Sequence, residues 1–280
     1  MQLKINRIKK SFGSHHVLAD CTMSFDQSTI TGVLGRNGVG KTTLFNILYG
    51  ELSADEGEAT LVFDDGTERA LQMDDIGMLF AETVLPEFLT GYEFVRFYLD
   101  LHQAPGQWQA EEYLDLVDIN QEDRYRLIKG YSSGMKSKLA LISLLILQPP
   151  VILLDEPLAA VDIVVQAQMK QVLREMKKDR IILLSTHIVS LAQELADEVV
   201  LLKDGRLHAL DYAPKEPNFE AKLVEALTVG EDPTTIAQIK AGQEQAQAAQ
   251  KEQMAQLEDH VQPLEISDVR DQKHSTEGDD

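Results

Sequence analysis

Apolar and polar positions alternate at the start of the chain, with Leu3, Ile5 and Ile8 falling between polar neighbours. This pattern predicts strands over Gln2–Ile8, Val17–Phe25 and Ile30–Leu34. Glycine-rich Gly35–Gly40 comes next, and Leu44, Ile47 and Leu48 then fall at helical spacing, predicting a helix over Lys41–Tyr49 that stops at Gly50. Asp55-Glu56-Gly57 and Asp64-Asp65-Gly66 read as turns around a short strand at Glu58–Phe63. From about Thr90 to Leu147 the spacing is mainly helical. Thr90 is placed to cap a helix carrying Phe94, Val95, Phe97, Tyr98 and Leu101, which Pro105-Gly106 breaks. A second helix uses Trp108, Tyr113, Leu114 and Val117, and a third runs over Ser133–Leu147 until Pro149-Pro150. Alternation of strand and helix then returns: Val151–Leu154, a helix at Ile163–Lys178, Ile181–Ser185, and a helix at Ile188–Ala196. Val199–Lys203 and Arg206–Leu210 flank a hairpin turn at Asp204-Gly205. Apolar strands interleaved with helices imply a parallel sheet buried on both faces.

After Leu210 the regularity stops. Phe219–Leu227 predicts one short helix, and Asp232-Pro233-Thr234 starts another through Ile239. Gln243–Gln256 is nearly all Gln, Ala, Glu and Lys, which favours helix but offers little apolar face. Ser267–Asp280 is polar and reads as disordered. Charge marks the same boundary. The 280 residues carry a formal net charge of -20, and residues 213–280 hold 15 acidic against 6 basic side chains. The sequence therefore divides into a domain at 1–212 and an acidic, partly helical or disordered tail at 213–280. Two readings of the tail stand: a regulatory or assembly segment, or a solvated appendage.

The apolar fraction of 44% suits a chain with a real core and excludes a wholly disordered one. A single cysteine forms no internal disulfide, so nothing depends on an oxidising compartment. Met1–Lys10 lacks the apolar run of a secretory signal, and no stretch reaches the ~18 apolar residues of a membrane span. These features predict a soluble, cytoplasmic protein. The acidic balance argues against nucleic acid as a partner, because binding it needs Lys and Arg to displace counterions.

Two motifs carry chemistry. Gly35-Arg36-Asn37-Gly38-Val39-Gly40-Lys41-Thr42-Thr43 fits G-x-x-x-x-G-K-[ST], between a strand and a helix. Its glycines let backbone N–H groups converge on phosphate oxygens, and the helix dipole adds a favourable field. Lys41 would bridge β- and γ-phosphates and the Thr42 hydroxyl would ligand Mg2+. In Val151-Ile152-Leu153-Leu154-Asp155-Glu156-Pro157, an apolar strand runs into two carboxylates where ligands bind in open α/β sheets. Asp155 would hold Mg2+, and Glu156 would polarise an attacking water as general base. Taken alone, this second motif also suits a strand that ends in a solvated acidic turn.

Together these motifs resemble the ATP-binding-cassette (ABC) ATPases. The family's distinguishing signature lies between the two motifs, at Tyr131-Ser132-Ser133-Gly134-Met135-Lys136, where Ser133 replaces a usual glycine. In Ser185-Thr186-His187, a strand ends on a histidine resembling the family's switch residue, which contacts the γ-phosphate. Asp162 matches the loop that communicates across the family's dimer, and Phe12 sits where an aromatic stacks on adenine. An ordinary apolar residue at a strand end is an equal reading of Phe12. One position departs from the pattern: Ala81 stands where the family places a glutamine that senses Mg2+ and the transport partner. Alanine cannot ligand a metal, so either neighbouring Glu82 substitutes or the contact is missing.

The resemblance spans roughly residues 1–212. It implies an α/β fold: a phosphate-loop NTPase core with a mainly parallel sheet, an N-terminal antiparallel β part, and a helical subdomain at about 82–147. It implies ATP and Mg2+ as cofactors, with Lys41, Glu156 and His187 catalytic. It also implies a homodimer or pseudo-dimer, because ATP is sandwiched between the phosphate loop of one subunit and the signature of the other. A transport role then needs a separate transmembrane permease, which would hold the chain peripherally on the inner face of the membrane. Phe88, Phe94, Phe97 and Tyr98 are candidates to line part of the groove that receives the permease, although packing of the subdomain's own core is the stronger reading for any one of them. Leu89–Phe94 and Tyr131–Lys136 resemble bacterial two-component exporters, so export is expected. The alternatives are a regulatory or weakly hydrolysing cassette, and a soluble non-transport ABC ATPase.

Overall fold

The computed structural model describes residues 1–103, 107–157, 163–210 and 213–228. Strands β1 (Gln2–Phe12), β2 (His15–Asp26) and β3 (Thr29–Leu34) lead into helix α1 (Lys41–Tyr49). Then come β4 (Glu56–Val62), β5 (Glu68–Ala70) and β6 (Ile76–Leu79). A helical stretch follows: α2 (Gly91–His102), α3 (Ala110–Leu116), α4 (Gln121–Arg124) and α5 (Ser133–Leu147). Alternation returns with β7 (Val151–Asp155), α6 (Ile163–Met176), β8 (Ile181–Thr186), α7 (Val189–Leu195), β9 (Glu198–Lys203), β10 (Arg206–Ala209) and α8 (Phe219–Thr228). The readings of residues 104–106, 158–162, 211–212 and 229–280, among them Asp162 and the tail helices beyond Thr228, lie outside the described residues.

The described residues divide into two compact units. The sheet unit takes residues 1–78, 149–157 and 177–228, and the helical unit takes 79–148 and 163–176. In the sheet unit, one sheet is antiparallel, in the order β2-β1-β4-β5. The other has the order β10-β9-β3-β8-β7-β6, with β3, β8, β7 and β9 parallel and β10 antiparallel to β9. A mainly parallel sheet beside an N-terminal antiparallel one is the architecture expected. The parallel strands are apolar throughout because both faces are covered: every residue of β7 and β8 is buried. Between the sheets lies a core of Leu3, Ile5, Phe25, Val33, Leu153 and Leu183, into which α1 places Leu44, Phe45 and Leu48. That packing fixes α1 against the ends of β3 and β7.

Helix α8 closes a smaller core. Phe219 and Leu223 are fully buried against Leu34, Val189, Ala192, Ala196, Val199 and Leu201. Burial of each such side chain stabilises by about 1.5–3 kcal/mol. Lys203 Nζ also donates to the Ala226 carbonyl at 3.2 Å. The acidic composition of the chain after residue 212 thus does not stop its first helix from docking on the sheet unit.

The helical unit has its own core of Phe94, Val95, Tyr113, Leu114, Ile128, Leu139, Ile142 and Ile146. Thr90 caps α2 as its sequence suggests. Its hydroxyl accepts from Glu93 N at 3.1 Å, while the Glu93 carboxylate accepts from Thr90 N at 2.8 Å. Just before the signature segment, Ile128 N donates to Leu89 O at 2.8 Å, and within it Lys136 Nζ donates to Glu87 at 2.8 Å. The start of α2 lies close against Tyr131. A Cβ at position 91 would press on the Tyr131 hydroxyl, so a larger residue there requires that ring to shift.

Three strand segments escape the sequence pattern. β1 runs on through Lys9–Phe12, which are polar or exposed but gain partners in β2 and β4. β5 is exposed throughout and forms the sheet edge, so no apolar alternation marks it. β6 is a four-residue apolar run, too short for its period to be read.

Candidate nucleotide-binding site

The phosphate-loop segment runs from β3 into α1. Gly35 is buried, Arg36, Asn37 and Gly38 are exposed, and Gly40 and Lys41 are buried again. Gly40 adopts φ of 111°, open only to glycine at low cost, and a Cβ there would press within 2.8 Å of Val17. Lys41 is the first residue of α1, so its side chain turns back over the loop. Its Nζ donates to Gly35 O at 2.8 Å and Arg36 O at 3.1 Å. Burial pushes the ammonium below the usual lysine range, while the charges of Glu156 and Asp155 pull it back up.

Asp155 ends β7 and is buried, at 3% exposure. Two hydroxyls satisfy its carboxylate. Thr42 Oγ1 donates to Oδ2 at 2.8 Å, and the Ser185 hydroxyl donates to Oδ1. A carboxylate taken out of water needs such donors, and hydrogen bonds to an ionised acceptor are the stronger kind.

Glu156 follows at φ of 48°, an uncommon conformation for a non-glycine residue. Two bonds hold it: its N–H donates to Ser185 O at 3.1 Å and to Ser185 Oγ at 3.3 Å. The bend leaves its carboxylate at the mouth of the site, where His187 Nδ1 lies 2.8 Å from Oε1, Thr186 Oγ1 3.4 Å from Oε2, and Lys41 Nζ 3.9 Å from Oε1. An ionised carboxylate only accepts, so the proton of that pair sits on Nδ1. The hydrogen bond to Glu156 raises the His187 pKa above its ordinary value, against a smaller lowering from burial.

The structure thus gathers Lys41, Thr42, Asp155, Glu156 and His187 at the carboxyl ends of β3, β7 and β8. Ser185 and Thr186 join them. The sequence reading assigned these two no role, though two hydroxyl side chains with no exposure at the end of an apolar strand are the available signal. The remaining candidates sit on other elements. Phe12 is at the end of β1, 51% exposed. Ser132, Ser133 and Gly134 open α5 in the helical unit, with Ser132 Oγ accepting from Met135 N at 3.3 Å. Ala81 and Glu82 are exposed in the bend after β6.

A phosphate loop, a buried acid on its Thr hydroxyl and a second acid on a histidine define the molecule as a phosphate-loop nucleotide-binding protein. The family model described as ABC transporter matches residues 18–159. The probable sulfate/thiosulfate import ATP-binding protein CysA of Chlorella vulgaris is 33% identical over 74% of this chain and 89% of its own. The sulfate/thiosulfate import ATP-binding protein CysA of Xanthomonas campestris pv. campestris is 32% identical over 75% of this chain and 64% of its own, so the chain spans under two thirds of that relative. The uncharacterized ABC transporter ATP-binding protein YxlF of Bacillus subtilis is 31% identical over 73% and 69%. Among solved structures, an ATP-binding subunit of an ABC transporter aligns with a TM-score of 0.65, 23% identity, and coverage of 86% of this chain and 100% of that one. The chain belongs to the ABC transporter family as an ATP-binding subunit. It is an ATPase with ATP and Mg2+ as its cofactors. The expected exporter type finds no support here, since two of these relatives are import proteins by name.

Proposed function

We propose that this chain is the ATP-hydrolysing subunit that powers a separate membrane permease, acting in the cytoplasm and held peripherally on the inner face of the membrane. Residues 1–212 form the ATPase domain, with its helical subdomain at about 82–147, and 213–280 is an acidic, partly helical tail whose first helix, α8, docks on that domain. The observation that carries this reading is the pairing of Thr42 with Asp155 and of Lys41 and His187 with Glu156.

In this reading Gly35 to Gly40 and Thr43 offer backbone N–H groups to the phosphates, and Lys41 supplies positive charge to the β- and γ-phosphates. Thr42 and Asp155 are the residues that hold Mg2+; their all-oxygen donor set suits that hard cation. Bound there, Mg2+ neutralises charge on the phosphates. Glu156 accepts the proton of the attacking water, and His187 orients that carboxylate through Nδ1 and faces the γ-phosphate. Phe12 stacks on the adenine. Ser132, Ser133 and Gly134 of a second copy complete the site, and Asp162 serves the same dimer.

Among the described residues no helix is long and apolar enough to cross a membrane, which fits a permease on another chain. Of the four aromatics considered for its docking groove, Phe88 and Phe97 are exposed, at 78% and 56%. Phe94 is buried in the helical core and Tyr98 packs against it, so the docking role falls to the first two. Import is favoured over export by the import proteins among the relatives. The cargo is set by the permease.

Glu156→Gln tests the reading. The variant is expected to bind ATP·Mg2+ normally while turnover falls by about 10²–10⁴-fold, the usual worth of a positioned general base. Undiminished turnover would overturn the assignment of Glu156.

A further inference from the structure

Phe12 is a large apolar side chain left half exposed at the end of β1, yet its surroundings are ordered by charge. Lys10 lies two residues earlier, and in a strand positions two apart share a face. Its Nζ stands over the Phe12 ring, 5.6 Å from the centroid. That ammonium is tethered: it donates to Ser53 O at 2.7 Å and to Asp55 Oδ1 at 2.9 Å, both from the loop between α1 and β4. The other carboxylate oxygen of Asp55 accepts from Ser11 N at 2.7 Å, and Asp55 N donates to Lys9 O at 2.9 Å. The strand end that bears Phe12 is thus held by one acidic residue acting on both its backbone and its neighbouring cation. The Asp55 carboxyl is kept below its usual range, first by Lys10 and then by the Ser11 N–H, so it stays charged.

We propose that Lys10 and Asp55 are positioning residues for the adenine of ATP, acting through Phe12. The proposal rests on the reading of Phe12 as the base platform. The cation occupies one face of the ring and the exposed remainder is left for the base. A tethered cation limits the ring to one orientation, so less side-chain freedom is lost when a base stacks. It also draws π-density toward one face, which favours an electron-rich purine on the other. Neither residue touches a phosphate in this scheme. The effect therefore belongs to recognition of the base and not to the hydrolytic step.

The test uses the full-length chain with ATP and inorganic tripolyphosphate as probes, in the wild type and in Phe12→Ala, Lys10→Met, Lys10→Arg and Asp55→Asn. Lys10→Met and Asp55→Asn are expected to raise the Kd for ATP about threefold, the scale of an exposed cation–π contact. The KM for ATP should rise in step while the rate at saturating ATP holds. Lys10→Arg should restore most of the affinity, and tripolyphosphate should bind all the variants alike. If Phe12→Ala leaves ATP affinity intact, the platform reading fails and this proposal with it. If Phe12→Ala weakens ATP but Lys10→Met and Asp55→Asn do not, Phe12 stands and the positioning role is overturned. Equal losses of ATP and tripolyphosphate, or a loss not restored by Lys10→Arg, would mark a general structural defect and equally overturn it.

Discussion

The sheet unit and the helical unit are built on opposite plans. In the sheet unit the working residues are polar groups at strand ends, each held by one or two short bonds: Thr42 and Ser185 on Asp155, Thr186 and His187 on Glu156, Lys41 on the loop carbonyls. In the helical unit the structure rests on an aromatic and aliphatic core, and its signature segment is positioned from behind by Tyr131, Ile128 and Met135 packed in or against that core. Polar bonding at the rim of an apolar sheet leaves most of the stability to the buried strands beneath it. An apolar core joins function to stability, because anything that moves the core moves the segment mounted on it.

The largest expected effect tests this contrast directly. Phe94 is 2% exposed in the centre of the helical core, with the Tyr98 ring 4.9 Å away. Phe94→Ala is expected to cost about 3–5 kcal/mol, read by urea denaturation. A cost under about 1 kcal/mol would show that the helical unit does not rest on that core. Gly91→Ala comes next. Its new methyl would meet the Tyr131 hydroxyl, and overpacking of this kind costs about 1–3 kcal/mol. Pairing it with Tyr131→Phe, which removes the clashing oxygen, should recover part of the loss in a double-mutant cycle. Additive effects would show that the close approach is relieved elsewhere.

The same contrast explains how far the sequence could be read. The phosphate loop was legible because its chemistry is local: nine consecutive residues between a strand and a helix contain their own geometry. Asp155 and Glu156 were legible because an apolar run points straight at them. Ser185 and Thr186 were not, because their roles depend on β8 lying beside β7, a pairing with no signal in either strand. The bend at Glu156 was invisible for the same reason, since its positive φ is supported by bonds from Ser185, 29 residues away. In the helical unit, the third helix could be read from its spacing and the start of the first from its Thr90 cap. The ion pair of Glu87 with Lys136 could not, because it spans 49 residues. Edge strand β5, with every side chain in solvent, left no pattern to read.

A smaller effect probes whether the sheet unit's polar groups are confined to its rim. Thr31 breaks that rule. It lies mid-strand in β3 at 1% exposure, and among the described residues its hydroxyl has no hydrogen-bond partner. Valine has nearly the same shape and suits a buried strand. Thr31→Val is expected to stabilise the protein by about 1 kcal/mol by removing an unsatisfied buried hydroxyl. The check is a rise in the denaturation midpoint without a change in slope; a fall would mean that the hydroxyl is satisfied after all.

The smallest effect is electrostatic and belongs to the rim itself. The Glu156 hydrogen bond raises the His187 pKa in the folded protein, so the folded state favours the protonated imidazole relative to the unfolded chain. The stabilisation is therefore complete below the ordinary histidine value of about 6.5 and fades as pH rises through the raised folded value. Because His187 is 43% exposed, solvent screening limits this contribution to about 0.5 kcal/mol. Comparing wild type with His187→Gln by nucleotide-free denaturation between pH 5 and 9 isolates it. The wild type should lose its advantage on the alkaline side, and Glu156→Gln, which removes the ionised partner, should abolish the difference. An advantage that grows with pH would mean that the ring is held neutral at the rim, and that Glu156 is positioned by Thr186 and Lys41 without it.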